Sequence, residues 1–138
     1  MLAIYGGASD VFDDETEAMG GIEWRSDFRQ LIVTPMVGGF VTSDGSLYGY
    51  GGLFVDLDLT NQFVVRPSLA VGAYSEGSGK DLGGTLEFRT AIEFAWRFEN
   101  LSRLGVEIAH VSNAGIHDYN PGMETLTVNY SLPLDSLF

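Results

Sequence analysis

Between Thr85 and Phe98 the side chains alternate in character with a period of two, and that period limits what the chain can build. Leu86, Phe88, Ile92, Phe94, Trp96 and Phe98 fall on one side, with Thr90 as the only polar interruption. Glu87, Arg89, Ala91, Glu93, Ala95 and Arg97 fall on the other. Successive side chains of a strand point to opposite faces, so an extended segment here has one oily face and one charged face. A helix would scatter the same residues around its circumference.

The same alternation recurs along the chain. Ile22 and Trp24 oppose Glu23, Arg25 and Asp27; Leu53, Val55 and Leu57 oppose Asp56 and Asp58. Phe63, Val65, Pro67, Leu69 and Val71 oppose Arg66 and Ser68. Leu104, Val106 and Ile108 oppose Arg103, Gly105 and Glu107, and Leu126, Val128, Tyr130 and Leu132 oppose Thr125, Thr127, Asn129 and Ser131. With Leu2–Ala8 and Leu31–Thr42 the pattern predicts eight strands. Long polar loops (Ser9–Gly20, Ser43–Leu47, Ser75–Asp81, Asn113–Met123) alternate with short turns near Arg29–Gln30, Thr60–Gln62 and Glu99–Ser102. Eight antiparallel strands joined as neighbours form an up-and-down β-barrel, which has no exposed edge. The 138 residues fit one such domain, 1–138.

Periodicity does not say which face is outside. A lipocalin-like barrel turns its oily face inward, and an outer-membrane barrel turns it to lipid. Three features favour the membrane. The charged face carries opposite charges as neighbours (Glu23/Arg25, Glu87/Arg89, Glu93/Arg97), as a narrow filled lumen requires. That face is also rich in Gly, Ala, Ser and Thr, which suit a tapered interior. No Lys or Arg interrupts the oily rows, while Trp24, Phe28, Trp96 and Phe98 sit where an interfacial aromatic girdle belongs.

Composition closes other routes. The longest stretch without a charged residue is Gln30–Ser43, 14 residues containing Pro35, Gly38 and Gly39. A membrane-spanning helix needs about 20 apolar residues, so none is encoded. The first residues lack the basic region and apolar core of a secretory signal, so the chain reads as a mature or truncated form. Seven Lys and Arg against nineteen Asp and Glu give a net charge of −12. Nucleic-acid binding needs cations that displace phosphate counterions, so that partner class is excluded. With no cysteine there is no disulfide, thiolate zinc site or cysteine nucleophile.

Three polar residues break the sorting at one place. The oily row Leu104, Val106, Ile108 continues as His110 and Ser112, and the row of the last strand runs back from Leu126 to Glu124. The loop Asn113–Met123 joins the two strands, so all three fall near one end of one hairpin, on one face. A serine hydroxyl becomes a nucleophile when a base takes its proton, and an imidazole titrates in the right range to do so. A carboxylate fixes the imidazole tautomer and stabilises the imidazolium. Such groups are costly at a lipid face unless they satisfy one another. His117 reads as a solvated loop residue, and with no second histidine clustered near it no metal or other cofactor is expected. The loop holds two turn signals, Asn113-Ala-Gly115 and Asn120-Pro-Gly, which are either turn chemistry alone or a source of oxyanion donors at Asn113, Gly115 or Asn120.

The stretch His110-Val-Ser-Asn-Ala-Gly, followed by Asn120-Pro-Gly-Met-Glu124 and Leu126-Thr-Val-Asn-Tyr-Ser, resembles the signature of PagL-type lipid A 3-O-deacylases. Leu86-Glu-Phe-Arg-Thr-Ala-Ile-Glu and the segment from Arg97 to Gly105 add to the likeness. The resemblance implies an outer-membrane esterase with Ser112 as nucleophile, His110 as base and Glu124 as orienting acid. It places Asn120 near the oxyanion site and makes lipid A of lipopolysaccharide the substrate, at the bacterial outer membrane. A homodimer is left open. With both termini periplasmic, the 113–123 loop is extracellular and the triad faces the outer leaflet. The oily rows of the sixth to eighth strands would then receive the acyl chain.

The acidic run Asp10, Asp13, Asp14, Glu15 and Glu17 reads as a solvated loop, or as a site sharing divalent cations with lipid phosphates. Two other classes remain open from the residues alone: a structural or adhesive outer-membrane barrel, and a soluble lipid-binding barrel.

Overall fold

The computed structural model describes residues 1–11, 16–26 and 32–134. Among the described residues nine strands follow one another: β1 (Leu2–Ser9), β2 (Glu17–Arg25), β3 (Thr34–Thr42), β4 (Leu47–Phe54), β5 (Leu57–Asp58), β6 (Phe63–Ser75), β7 (Leu86–Arg97), β8 (Arg103–Ser112) and β9 (Met123–Leu132). Eight of them are long and β5 is a two-residue stub on β6. The sheet order is β4-β3-β2-β1-β9-β8-β7-β6, and β4 pairs β6 to close it into an antiparallel barrel. Closure leaves no long strand with a free edge.

Two boundaries differ from the sequence reading. The first loop ends at Thr16 rather than Gly20, because Glu17-Ala-Met-Gly-Gly pairs with β1 as a strand. Adjacent glycines hide an alternation that the flanking side chains still obey: Glu17 and Met19 are buried and Ala18 is exposed. The expected fourth strand through Leu53, Val55 and Leu57 is cut after Phe54, where the chain bends and leaves only Leu57 and Asp58 to pair β6. The turn at Arg29–Gln30, Leu31 and the girdle residue Phe28 lie outside the described residues.

The inside-out sorting is plain in the burial. Ile22, Leu69 and Val128 are 58%, 65% and 55% exposed, while Glu23, Arg25, Arg66 and Glu93 are at most 3% exposed. Charged residues inside and aliphatics outside suit hydrocarbon, not water, and the lipocalin-like arrangement does not apply. Trp24, Trp96 and Phe98 are exposed near the end that carries the termini.

The lumen is filled in two ways. Toward the termini a charge network crosses the barrel. Arg25 donates to Glu23 and Glu93 (2.7 Å each), and Arg66 to Glu93 (3.0 Å) and Glu23 (3.2 Å). Arg89 pairs with Glu107, and Asn129 donates to Glu93 (2.9 Å). Of the three expected neighbour pairs only Glu23/Arg25 forms. Glu93 meets arginines from β2 and β6, and Arg97 pairs with Asp58 instead. In a narrow barrel the nearest opposite charge is across the lumen as often as along the strand.

The second filling is aromatic, which the expected taper of small residues did not include. Phe40, Tyr48, Tyr50 and Tyr74 point inward; Tyr48 stacks on Tyr50 and meets Phe40 and Tyr74 at a tilt, with ring centroids 5.4–6.4 Å apart. Glycines opposite make the room: a Cβ at Gly21 would lie 2.5 Å from the Tyr5 ring, and one at Gly38 would lie 2.9 Å from the Tyr50 hydroxyl. Residues 10–11 and the loops 43–46, 76–85 and 113–122 gather at the other end, tied by Ser78 N–H to Asp44 O (3.0 Å) and Lys80 to Asp10 (2.7 Å).

Candidate active site

β8 and β9 pair in the register His110↔Glu124 and Val111↔Met123. The hairpin alternates cleanly: Val111, Met123 and Thr125 face the lumen, so His110, Ser112 and Glu124 share the outer wall. His110 Nδ1 and Glu124 Oε1 are 3.2 Å apart, with side chains 47% and 36% exposed. An imidazole that donates from Nδ1 keeps Nε2 as its acceptor, the tautomer a general base needs. Ser112 is two residues farther along the same face, roughly 7 Å in Cα spacing for an extended chain. Among the described residues no hydrogen bond joins Ser112 Oγ to His110; such bonds commonly tighten only when substrate is bound.

The loop behind these three residues is organised by Asn113, which is fully buried. Its Nδ2 donates to Leu82 O (3.0 Å) and Tyr119 O (2.7 Å), and its Oδ1 accepts Gly115 N–H (2.9 Å). Its own N–H donates to Asn120 Oδ1 (3.0 Å). Both amide hydrogens of Asn113 and the N–H of Gly115 are therefore engaged, within this loop and with Leu82 of the 76–85 loop. This corrects the expectation that either stands ready for an oxyanion. Asn120 uses only its carbonyl oxygen in these bonds, so its amide N–H2 is a donor that they leave available. The turn itself is sharp: Ala114 and Gly115 have φ of 56° and 82°. A non-glycine residue in that region is uncommon, and strain of this kind collects at functional sites.

The 76–85 loop supports this arrangement, and sequence reasoning missed it. A Cβ on Gly83 (φ +96°) would lie 1.7 Å from Tyr119 O, and one on Gly84 would lie 2.3 Å from the His117 ring. The two loops therefore pack closely, Gly83 against the Tyr119 carbonyl and Gly84 against the His117 ring. His117 is half-buried against Gly84, with its Nε2 out of contact with solvent, so the solvated-loop reading of it is corrected. The Asp-Leu-Gly-Gly run was the available signal. Thr90 is the other residue without an assigned role: it is the register partner of His110 on β7 and is exposed. Its signal was its place as the lone polar residue in an oily row.

A shallow groove of about 350 Å³ runs beside the pair, lined by Thr90, Ala91, Ile92, Ile108, Ala109, His110 and Glu124. Through Thr90 and Ala91 it adjoins a second depression of about 460 Å³ bordered by Leu53, Pro67 and Leu69. Both lie on the outer wall. The acidic run is divided: Asp10 is buried and paired with Lys80, Glu17 is buried at the start of β2, and Asp13, Asp14 and Glu15 lie outside the described residues. Burial removes Asp10 and Glu17 from a solvated loop and from a headgroup-facing cation site.

A family model described as Lipid A 3-O-deacylase (PagL) matches residues 16–133. The lipid A deacylase PagL of Pseudomonas aeruginosa is 31% identical over 72 residues, 51% of this chain and 42% of that relative. The chain thus spans less than half the length of the curated relative it matches. A crystal structure of the outer membrane enzyme PagL superposes with a TM-score of 0.74 at 22% identity, covering 96% of this chain and 98% of that one. A structure from the de novo design of transmembrane β-barrels follows at 0.59 and 11% identity, over 94% and 91%. Both structural likenesses are likenesses of fold.

Proposed function

Because the chain belongs to the PagL family of lipid A 3-O-deacylases, we propose that it is a serine esterase that hydrolyses the 3-position acyl ester of lipid A in the outer membrane. The observation that carries this reading is the His110–Glu124 pair on the lipid-facing wall, with Ser112 on the same face of the same hairpin. Ser112 Oγ attacks the ester carbonyl carbon while His110 Nε2 takes the hydroxyl proton. Glu124 holds Nδ1–H and stabilises the imidazolium. The tetrahedral oxyanion is met by the Asn120 amide. Collapse breaks the bond to the sugar oxygen, which leaves with the proton returned by His110. Water, deprotonated by the same imidazole, then attacks the acyl-serine and releases the fatty acid.

The wall position suits a substrate that is itself a membrane component. Lipid A reaches the site by lateral diffusion, and the groove between β7 and β8 takes the acyl chain without extracting it from the leaflet. One hairpin supplies all three groups, so the proposed triad needs no residue from a second chain.

The test is mass spectrometry of lipid A from cells expressing the chain. Wild type removes one ester-linked acyl chain. Ser112→Ala still migrates as a folded, heat-modifiable barrel and removes none. Wild-type-like release by that variant would overturn the mechanism, and unchanged lipid A with the wild-type chain would leave a non-enzymatic barrel.

A further inference from the structure

The Asn120-Pro-Gly turn does more than end the loop. Gly122 has φ +66°, and a Cβ built on it would lie 2.8 Å from His110 Cε1 and 3.3 Å from Nε2. We infer that Gly122 is a positioning residue for the hydrolysis: its missing side chain lets the His110 ring lie against the turn in the orientation that meets Glu124. This inference rests on the triad reading above and concerns the residue that holds the base in place.

Cε1 is bonded to both ring nitrogens, so pressure there moves Nδ1 and Nε2 together. Which partner would yield to an added methyl group is decided by how each is held. The turn is anchored: Tyr119 O and Asn120 Oδ1 both accept from Asn113 (2.7 and 3.0 Å), and Glu124 O accepts Val11 N–H (3.2 Å). The imidazole is nearly half exposed, and its hydrogen bond is the 3.2 Å contact to Glu124. The ring therefore gives way, and the turn does not. An exposed histidine on a flat barrel wall has few neighbours to restrain it, and the Gly122 backbone supplies one side of its seat.

The experiment uses the refolded full chain with lipopolysaccharide in mixed detergent micelles. Gly122→Ala lowers kcat by at least about tenfold, within what a general base contributes, while KM stays within about twofold because the groove is untouched. Gly122→Asn separates strain from contact, since asparagine tolerates the left-handed region yet carries the same Cβ. It loses kcat to the same extent. Gly45→Ala is the control: Gly45 has φ +86° with nothing within 4 Å of an added Cβ, and its variant keeps wild-type kcat. In a His110→Ala background the Gly122 substitutions reduce the residual rate no further, which a merely structural role would not predict.

Wild-type kcat in Gly122→Asn, an equal loss in Gly45→Ala, or additive losses with His110→Ala would each overturn the inference. Failure of both Gly122 variants to refold would also overturn it, by making the residue a folding determinant. The two levels separate cleanly. Activity surviving in His110→Ala and Ser112→Ala removes the triad reading, whereas dead triad variants beside fully active Gly122 variants remove only this one.

Discussion

His110 and Glu124 are ionisable side chains on a surface that otherwise presents aliphatics to lipid, and each makes the other tolerable there. A carboxylate or imidazole facing hydrocarbon is expensive alone, and the 3.2 Å contact across β8 and β9 offsets that expense. The same contact gives the imidazole its tautomer. Glu124→Gln keeps the shape of the side chain but removes the charge that stabilises the imidazolium in the proposed reaction. Its kcat in a micellar lipopolysaccharide assay falls by about 10²–10⁴-fold with the barrel still heat-modifiable. Asn113 works at the same scale with a different outcome. Its place in the Asn113-Ala-Gly turn made it a candidate oxyanion donor, and the structure engages both of its amide hydrogens with Leu82 and Tyr119.

At the level of elements, the turn after β4 is clasped to the start of β8. Arg103 Nη1 and Nη2 donate to Asp56 Oδ1 and Oδ2 at 3.1 and 2.9 Å. Burial pushes the Asp56 carboxyl upward, and the Arg103 hydrogen bonds and charge outweigh it, so the group is held below its ordinary 3.8. A carboxyl depressed in the folded state contributes stability above its unfolded value and loses it as pH falls through the folded value. Asp56→Asn is therefore less stable than wild type near neutrality, by about 1 kcal/mol for a partly exposed pair. The gap closes below about pH 4. Urea unfolding in micelles at a series of pH values, read by heat-modifiable mobility, checks the sign. A gap that widens in acid would contradict it.

For the whole molecule, the decisive property is a barrel whose polarity is inverted. Val106, Phe94 and Val128 form one outward row across β7, β8 and β9, all exposed, while Glu93, Glu107 and Thr127 lie buried one residue on. An arginine on this row would face the hydrocarbon midplane with no partner. Val128→Arg lowers unfolding stability by about 2–4 kcal/mol, measured by the same urea titration in lipid bilayers. Replacement of Val128 by leucine serves as the volume control and stays near wild type. Equal behaviour of the two would mean that this row does not meet lipid.

The alternation from Thr85 to Phe98, and its repeats, specified the strands, the antiparallel barrel and the face that His110 and Glu124 share, because a period of two is a local property of extended backbone. It placed Ser112 on the same face for the same reason. The charge partners were not legible: Glu93 meets Arg25 and Arg66, which lie 68 and 27 residues away in the chain. Nor was the inward turn of Tyr5 and Tyr50, whose space comes from Gly21 and Gly38 on neighbouring strands. Closure of the barrel decided both, since only a closed, narrow lumen brings distant strands within reach of one another. The same closure packed the 76–85 loop under Asn113 and laid Gly122 against His110. Sequence alone thus determined which residues share a face; the tertiary structure decided which of them touch, because contact across a barrel depends on shear and width, and periodicity records neither.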